Sequence, residues 1–207
     1  MTKFLALLLF LLVSGQNSFA QLVVTRLDKA HLPKGIHYKG QLKNALRWTD
    51  KAGNHVVITT ETGEFPSKEG DDFRSMRLAA QHFLLTNDSL RQTWQMQDGV
   101  TDCPVDMMAN FTKNTFQVTD LNKDGLGEVW LMYKTVCHGD VSPVTMKIIM
   151  YQGAQKFAMR GRNKVKLSAT ESEGGEYQFD PAFLAGPKEF RAFALALWQK
   201  NVLQVWQ

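Results

Sequence analysis

Thr119-Asp120-Leu121-Asn122-Lys123-Asp124-Gly125-Leu126-Gly127-Glu128-Val129-Trp130-Leu131-Met132-Tyr133 is the stretch on which the fold reading turns. Oxygen-bearing side chains alternate through its first half, a glycine follows, and apolar residues take over. Asn114 to Thr119 upstream and Val129 to Val136 downstream read as strands, because both favour a pleated backbone. A strand, a glycine-bearing loop and a second strand make a hairpin signal.

The loop itself has a chemical reading. Asp120, Asn122 and Asp124 fall at its first, third and fifth positions, Leu126 at the seventh and Glu128 at the ninth. Calcium takes six to eight oxygens at about 2.3–2.6 Å, and a chain curling round it offers alternate side chains and then a backbone carbonyl. The Leu126 carbonyl serves whatever its side chain, and Gly125 permits the sharp turn. The twelfth position is Leu131, so the bidentate glutamate of an EF-hand is missing, and a strand follows where a helix would. The loop resembles the calcium loop of FG-GAP and VCBS-type β repeats, in which an Asp-rich nine-residue loop joins two strands. That pattern usually ends in Asp; Glu128 is one methylene longer, so its ligation would be direct or through water. The resemblance implies a structural Ca2+ ion. The metal-free alternative is a turn whose Asp and Asn side chains bond nearby amides.

Cys103 and Cys137 flank this loop and are the two cysteines of the chain. Their reading depends on compartment. Lys3, the apolar run Phe4 to Val13 and the small-x-small Ser18-Phe19-Ala20 have the form of a secretory signal covering 1–20. The apolar run of ten residues is about half a membrane span, and no later segment approaches the ~20 that a span needs. The expected product is exported to the periplasm, cell surface or medium. An exported chain with two cysteines pairs them.

Outward from the hairpin, short strands alternate with turns. Gln41 to Thr49, the turn Asp50-Lys51-Ala52-Gly53-Asn54 and Val56 to Thr60 form a second hairpin. Thr62 to Asp72 reads as a loop. Ser75 to Leu85 fits a helical stripe and a strand alternation almost equally, and reads as a strand because a turn and an extended Leu90 to Met96 follow. Val144 to Tyr151, Lys156 to Arg160 and Lys164 to Leu167 continue the series. After Gly186-Pro187, Phe190, Phe193, Ala194, Leu197, Trp198, Val202 and Val205 recur at helical spacing. The predicted fold is mainly β: an antiparallel meander, as sandwich, open barrel or propeller-like sheet. It spans 21–207 as one domain and ends in an amphipathic helix at about 188–205.

Lys and Arg number 24 against 20 Asp and Glu, a mild excess of four, and losing Lys3 with a signal takes it to three. The densest basic run, Arg160 to Lys166, alternates like a solvated strand face and lacks interleaved aromatics, which argues against nucleic acid as the partner. His138 and Asp140 stand beside Cys137 as candidate ligand-facing residues, with His82 distant in sequence. Zinc spacing and a nucleophile elbow are both missing, and Asp140-Val141-Ser142-Pro143 reads as a capped turn. Trp48, Trp94 and Trp130 sit at strand positions, where core packing outweighs a sugar platform.

A wider likeness joins several of these pieces. Asp102-Cys103, the loop and its strand, Cys137 to Pro143, Met146 to Tyr151 and Arg160-Gly161 are together similar to a bacterial exported family labelled surface polysaccharide biosynthesis protein. The likeness spans Arg74 to Arg162. It implies an envelope-associated β protein with paired cysteines and a surface glycan as partner, and carries over no catalytic residue. The leading expectation is an accessory or binding protein. An enzyme acting on envelope polysaccharide, hydrolase or transferase, is the alternative.

Overall fold

The computed structural model describes residues 22–86 and 89–204. The predicted signal at 1–20, and Val205 of the predicted helix, lie outside the described residues. Strands β1 (Val24–Arg26), β2 (Gln41–Asp50), β3 (Gly53–Pro66), β4 (Arg74–Leu85) and β5 (Leu90–Cys103) form an antiparallel meander in which chain order is spatial order. A second antiparallel sheet runs β6 (Met107–Phe111), β8 (Glu128–Cys137), β9 (Thr145–Gln152), β10 (Gln155–Arg162), β13 (Tyr177–Phe179), with β7 (Gln117–Thr119) paired to the start of β8. A small third sheet joins β11 (Lys164–Lys166) to β12 (Ser172–Gly174) and, in parallel, to β14 (Leu203–Gln204).

The two large sheets face each other, so the sandwich form of the predicted meander is the one adopted. Trp48, Leu78, Trp94 and Met96 of the first sheet meet Val129, Leu131, Ile149 and Tyr151 of the second. The far face of the second sheet is also covered. Trp130, Met132, Ile148 and Met150 pack on Phe183 of α1 (Pro181–Ala185) and on Phe190, Leu197 and Trp198 of α2 (Lys188–Asn201). Burial on both faces is why Val129 to Tyr133 of β8 and Ile148 to Tyr151 of β9 are apolar at every position. On the outer face of the first sheet, Val56, Ile58 and Phe83 lie under the segment carrying Leu32, Ile36 and Tyr38.

Several boundaries differ from the sequence reading. The C-terminal helix stops at Asn201, short of the predicted 205. Lys164 N donates to Val202 O at 2.7 Å and Asn163 Nδ2 donates to the Gln204 amide oxygen at 3.0 Å, so the β11 edge draws the chain out of the helix. β3 continues to Pro66 through the predicted loop, across a register shift between Glu61 and Glu64. β6, β12, β13 and α1 were not expected. α1 had a sequence signal: Asp180 accepts Phe183 N at 2.9 Å as an N-cap, and Pro181 opens the helix.

Cys103 and Cys137 are joined, with Cα atoms 5.8 Å apart. Cys103 ends β5 and Cys137 ends β8, so the bond ties one sheet of the sandwich to the other. Replacing both with Ser is expected to cost about 4 kcal/mol, from the unfolded-chain entropy of a loop this long. Urea unfolding would show it as a lower midpoint; an unchanged midpoint would mean that the sheet contact alone holds the register.

Candidate functional site

The predicted calcium loop sits at one end of the sandwich, and its oxygens divide into two groups. Asp124 Oδ1 accepts Leu126 N at 2.9 Å, and its Oδ2 accepts Asn122 Nδ2 at 2.8 Å and Gln152 Nε2 at 2.9 Å. Asn122 Oδ1 accepts Asp124 N at 3.3 Å, and Asp120 Oδ2 accepts Gly125 N at 3.1 Å. These are the amide contacts of an Asx-rich turn. Asp120 Oδ1, by contrast, is buried with no hydrogen-bond partner. An orphaned carboxylate oxygen is what a hard cation would satisfy.

Glu128 is fully buried, and its carboxyl accepts the Thr119 hydroxyl at 2.7 Å and Leu121 N at 3.0 Å. Burial raises its pKa to about 7, against the opposing hydrogen bonds from Thr119 and Leu121 and with a further push from Asp120. Its contacts hold the two ends of the loop together. Among the described residues, no three His, Cys, Asp or Glu side chains gather in metal-holding geometry.

The loop is clamped from the first sheet. Lys51 N donates to Gly125 O at 3.0 Å, and Lys51 Nζ donates to the Asp124 carbonyl. Gly125 has φ +81°, and a Cβ there would lie 2.4 Å from Lys51 Cε. Asp50 is the centre of this junction. Its Oδ2 accepts Trp48 Nε1 and Gly127 N, both at 2.9 Å, and its Oδ1 accepts Ala52 N at 2.7 Å and His55 Nε2 at 2.8 Å. Burial alone would raise the Asp50 carboxyl. Donation from Gly127, Trp48 and Ala52, with His55 beside it, outweighs that and holds its pKa below the usual carboxylate value.

From Asp50 a polar chain runs inward. With the carboxylate as the fixed acceptor, His55 donates from Nε2 and accepts at Nδ1 from His82 Nε2, 3.1 Å away. His82 Nδ1 then accepts the Thr93 hydroxyl. Thr93 is the residue skipped where the β4–β5 register shifts, since His82 faces Trp94 and Phe83 faces Gln92. Such a bulge re-aims a side chain, here toward His82. The same rings form a column: Trp48 on His55 (centroids 4.8 Å), His55 on His82 (5.1 Å), His82 on Trp94 (5.2 Å) and Trp94 on Tyr151 (4.0 Å). The cavity beside it is about 30 Å³, room for a water and not for a sugar. Trp48, Trp94 and Trp130 are all buried, which leaves no sugar platform on these three rings.

His138 Nδ1 lies 2.8 Å from Asp140 Oδ1, but off the line of a ring N–H bond. Asp140 Oδ1 accepts Ser142 N at 2.9 Å, which is the capped turn expected before Pro143. The pair stands beside the disulfide, apart from the calcium loop and from the groove described next.

Two concave surfaces have similar volumes, about 800 Å³ each: one lies beside Asp50, Lys51 and Asp120, and the other on the outer face of the first sheet. This second groove runs over Thr60, Ala79, Gln81, Gln95 and Gln97, walled by His37 to Gly40 on one side and by Phe65 and Arg77 on the other. Gly40 has φ +86°, and a Cβ there would strike the Glu61 carbonyl at 2.5 Å, so this glycine lets the wall press on β3. A ladder of amides links Gln81 and Gln95 of the floor through Gln92 outside it: Gln81 Nε2 donates to Gln92 Oε1 at 3.3 Å, and Gln92 Nε2 to Gln95 Oε1 at 3.1 Å. The sequence reading missed this groove. Its signal was the outward half of the alternation in β4 and β5, Gln81 with Gln95 and Gln97, which reads as an ordinary solvated face until the 37–40 segment is seen to wall it. Compared with known protein families, curated proteins and solved structures, the chain matches none of them.

Proposed function

We propose that the protein is an exported accessory protein of the bacterial envelope that binds a surface glycan in the groove on its first sheet. The groove carries this reading. Sugars are bound by planar amides and hydroxyls that hydrogen-bond ring hydroxyls, with aromatic rings that cover apolar sugar faces. Thr60, Gln81, Gln95, Gln97, Tyr38 and Phe65 supply that combination on one concave surface. Gln97→Ala with Tyr38→Ala is expected to weaken glycan binding by about tenfold or more, the loss of two polar contacts. A glycan array read with both proteins checks it, and binding that the double variant leaves intact would move the site off the groove.

In the same reading the loop is a structural calcium site held by Asp120, Asn122, Asp124 and the Leu126 carbonyl, with Glu128 bracing the loop ends. The ion would neutralise the loop carboxylates and fix the hairpin against Lys51 and Asp50. The orphaned Asp120 Oδ1 supports it. At calcium about 100-fold above its Kd, the folded state should gain about 2.7 kcal/mol. Thermal melts with calcium and with chelator would show the shift, and Asp120→Ala should abolish it. No shift in the unaltered protein would leave a metal-free Asx turn.

A further inference from the structure

We infer that the groove selects an anionic glycan, one whose acidic sugars place a carboxylate on Arg77. The inference rests on the glycan-binding reading and narrows it to a substrate class. Among the described residues, the ionisable side chains lining the groove are His37, Lys39, Arg77 and the phenol of Tyr38, with no Asp or Glu. Arg77 is exposed, and among the described residues it has no carboxylate within ion-pair distance. Nearby Glu64 is engaged with Arg74 at 3.0 Å, which leaves Arg77 to a ligand.

The Arg77 guanidinium is also placed. Its Cζ lies 5.4 Å from the centroid of the Phe65 ring, which supports the plane from one side. A guanidinium seated over a ring keeps N–H donors for a ligand, and its fork can take a carboxylate with two parallel hydrogen bonds. Lys39, exposed on the opposite wall, adds a second positive charge. From Arg77 to Gln81 along β4 is about 13 Å, enough for a short oligosaccharide lying across the amide ladder with its acidic group at the Phe65 end.

Nucleic acid is also anionic, but it is the poorer fit. It is held by many phosphate contacts and stacked bases, and the strong bases lining this groove are Lys39 and Arg77. The amides on the floor match hydroxyl-rich chains instead.

Calorimetric titration of the full chain against uronate-containing oligosaccharides, their carboxyl-reduced counterparts and a single-stranded oligonucleotide tests the assignment. The acidic oligosaccharides should bind about tenfold or more tighter than the reduced ones. Arg77→Gln should erase that advantage while leaving affinity for the reduced oligomers and the melting temperature unchanged, because Arg77 is exposed. Arg77→Lys should restore part of it. Equal affinity for acidic and reduced oligomers would overturn the anionic assignment and leave glycan binding standing. No affinity for either would overturn both. Tighter binding of the oligonucleotide, with a steep salt dependence, would put nucleic acid in the groove.

Discussion

Asp50→Ala is expected to lower the unfolding free energy by about 4 kcal/mol, a loss comparable to removal of the disulfide. One carboxylate accepts four hydrogen bonds here, from Trp48, Ala52, His55 and Gly127. Trp48 and His55 are buried, so alanine would strand their ring N–H groups without solvent. A buried donor left unpaired costs about 1–3 kcal/mol, and the methyl of alanine adds a void. Asp50→Asn keeps an acceptor oxygen and the volume, and should cost less than half as much. The contact to Gly127 is also how the first sheet holds the calcium loop, so Asp50→Ala should blunt the calcium-dependent shift in melting. Urea unfolding at pH 7.5 measures the main effect. A loss below about 1 kcal/mol would mean that the junction is held by packing and not by this acceptor.

The second large effect is an acid sensitivity that begins above the carboxylate range. Burial, reinforced by the neighbouring His55, lowers the pKa of His82 from 6.5 to about 3, with Asp50 pulling weakly the other way. The folded protein therefore keeps His82 neutral while the unfolded chain protonates it below pH 6.5. The unfolded state binds the extra proton, so stability is fully present above pH 6.5 and falls as pH drops toward 3. At about 1.4 kcal/mol per pH unit the loss reaches roughly 5 kcal/mol. Asp50 and Asp98, whose pKa values are lowered, add their own losses only as pH falls through the acid range below 3.8. Glu128 works oppositely, because its folded pKa of about 7 lies above the ordinary 4.5 and returns stability as pH falls between them. The His82 share is therefore the difference in slope between the natural protein and His82→Phe. Phenylalanine keeps the stack between His55 and Trp94, removes the titration and leaves His55 Nδ1 without its donor. The variant should be less stable at pH 7.5 and flatter between pH 6.5 and 4. Parallel slopes would show that His82 titrates normally in the fold.

Much of the architecture was legible because local rules and the fold agreed. The hairpins at Asp50 to Asn54 and at Asp120 to Glu128 carried their own turn residues, and Ser75 to Leu85 was resolved by the turn and strand that follow it. The unexpected pieces are those whose partners are remote. β6 is held by Glu61, whose carboxylate accepts Phe111 N at 2.7 Å and Asn110 Nδ2 at 3.1 Å from about fifty positions away. β14 forms because β11 offers a free edge, against the helical pattern of its own residues. The candidate site divides in the same way. The loop spacing is a local pattern and could be read directly. The alignment of Asp50, His55, His82 and Thr93 requires three strands and a bulge, and the groove requires a wall contributed by residues 37–40. No window of sequence contains either.

The two-sided burial of β8 and β9 bears on how the chain must be made. Val129 to Tyr133 and Ile148 to Tyr151 are apolar on both faces, so neither strand has a water-compatible side until α1 and α2 arrive from the C-terminal end. Such segments, uncharged and rich in β-formers, are templates for intermolecular sheet growth when uncovered. A chain ending before Pro181 would keep every strand of the sandwich core and still expose Trp130, Met132, Ile148 and Met150 in one continuous sheet. Its fate would be aggregation, and in the whole protein the last helices act as the cap that ends this hazard.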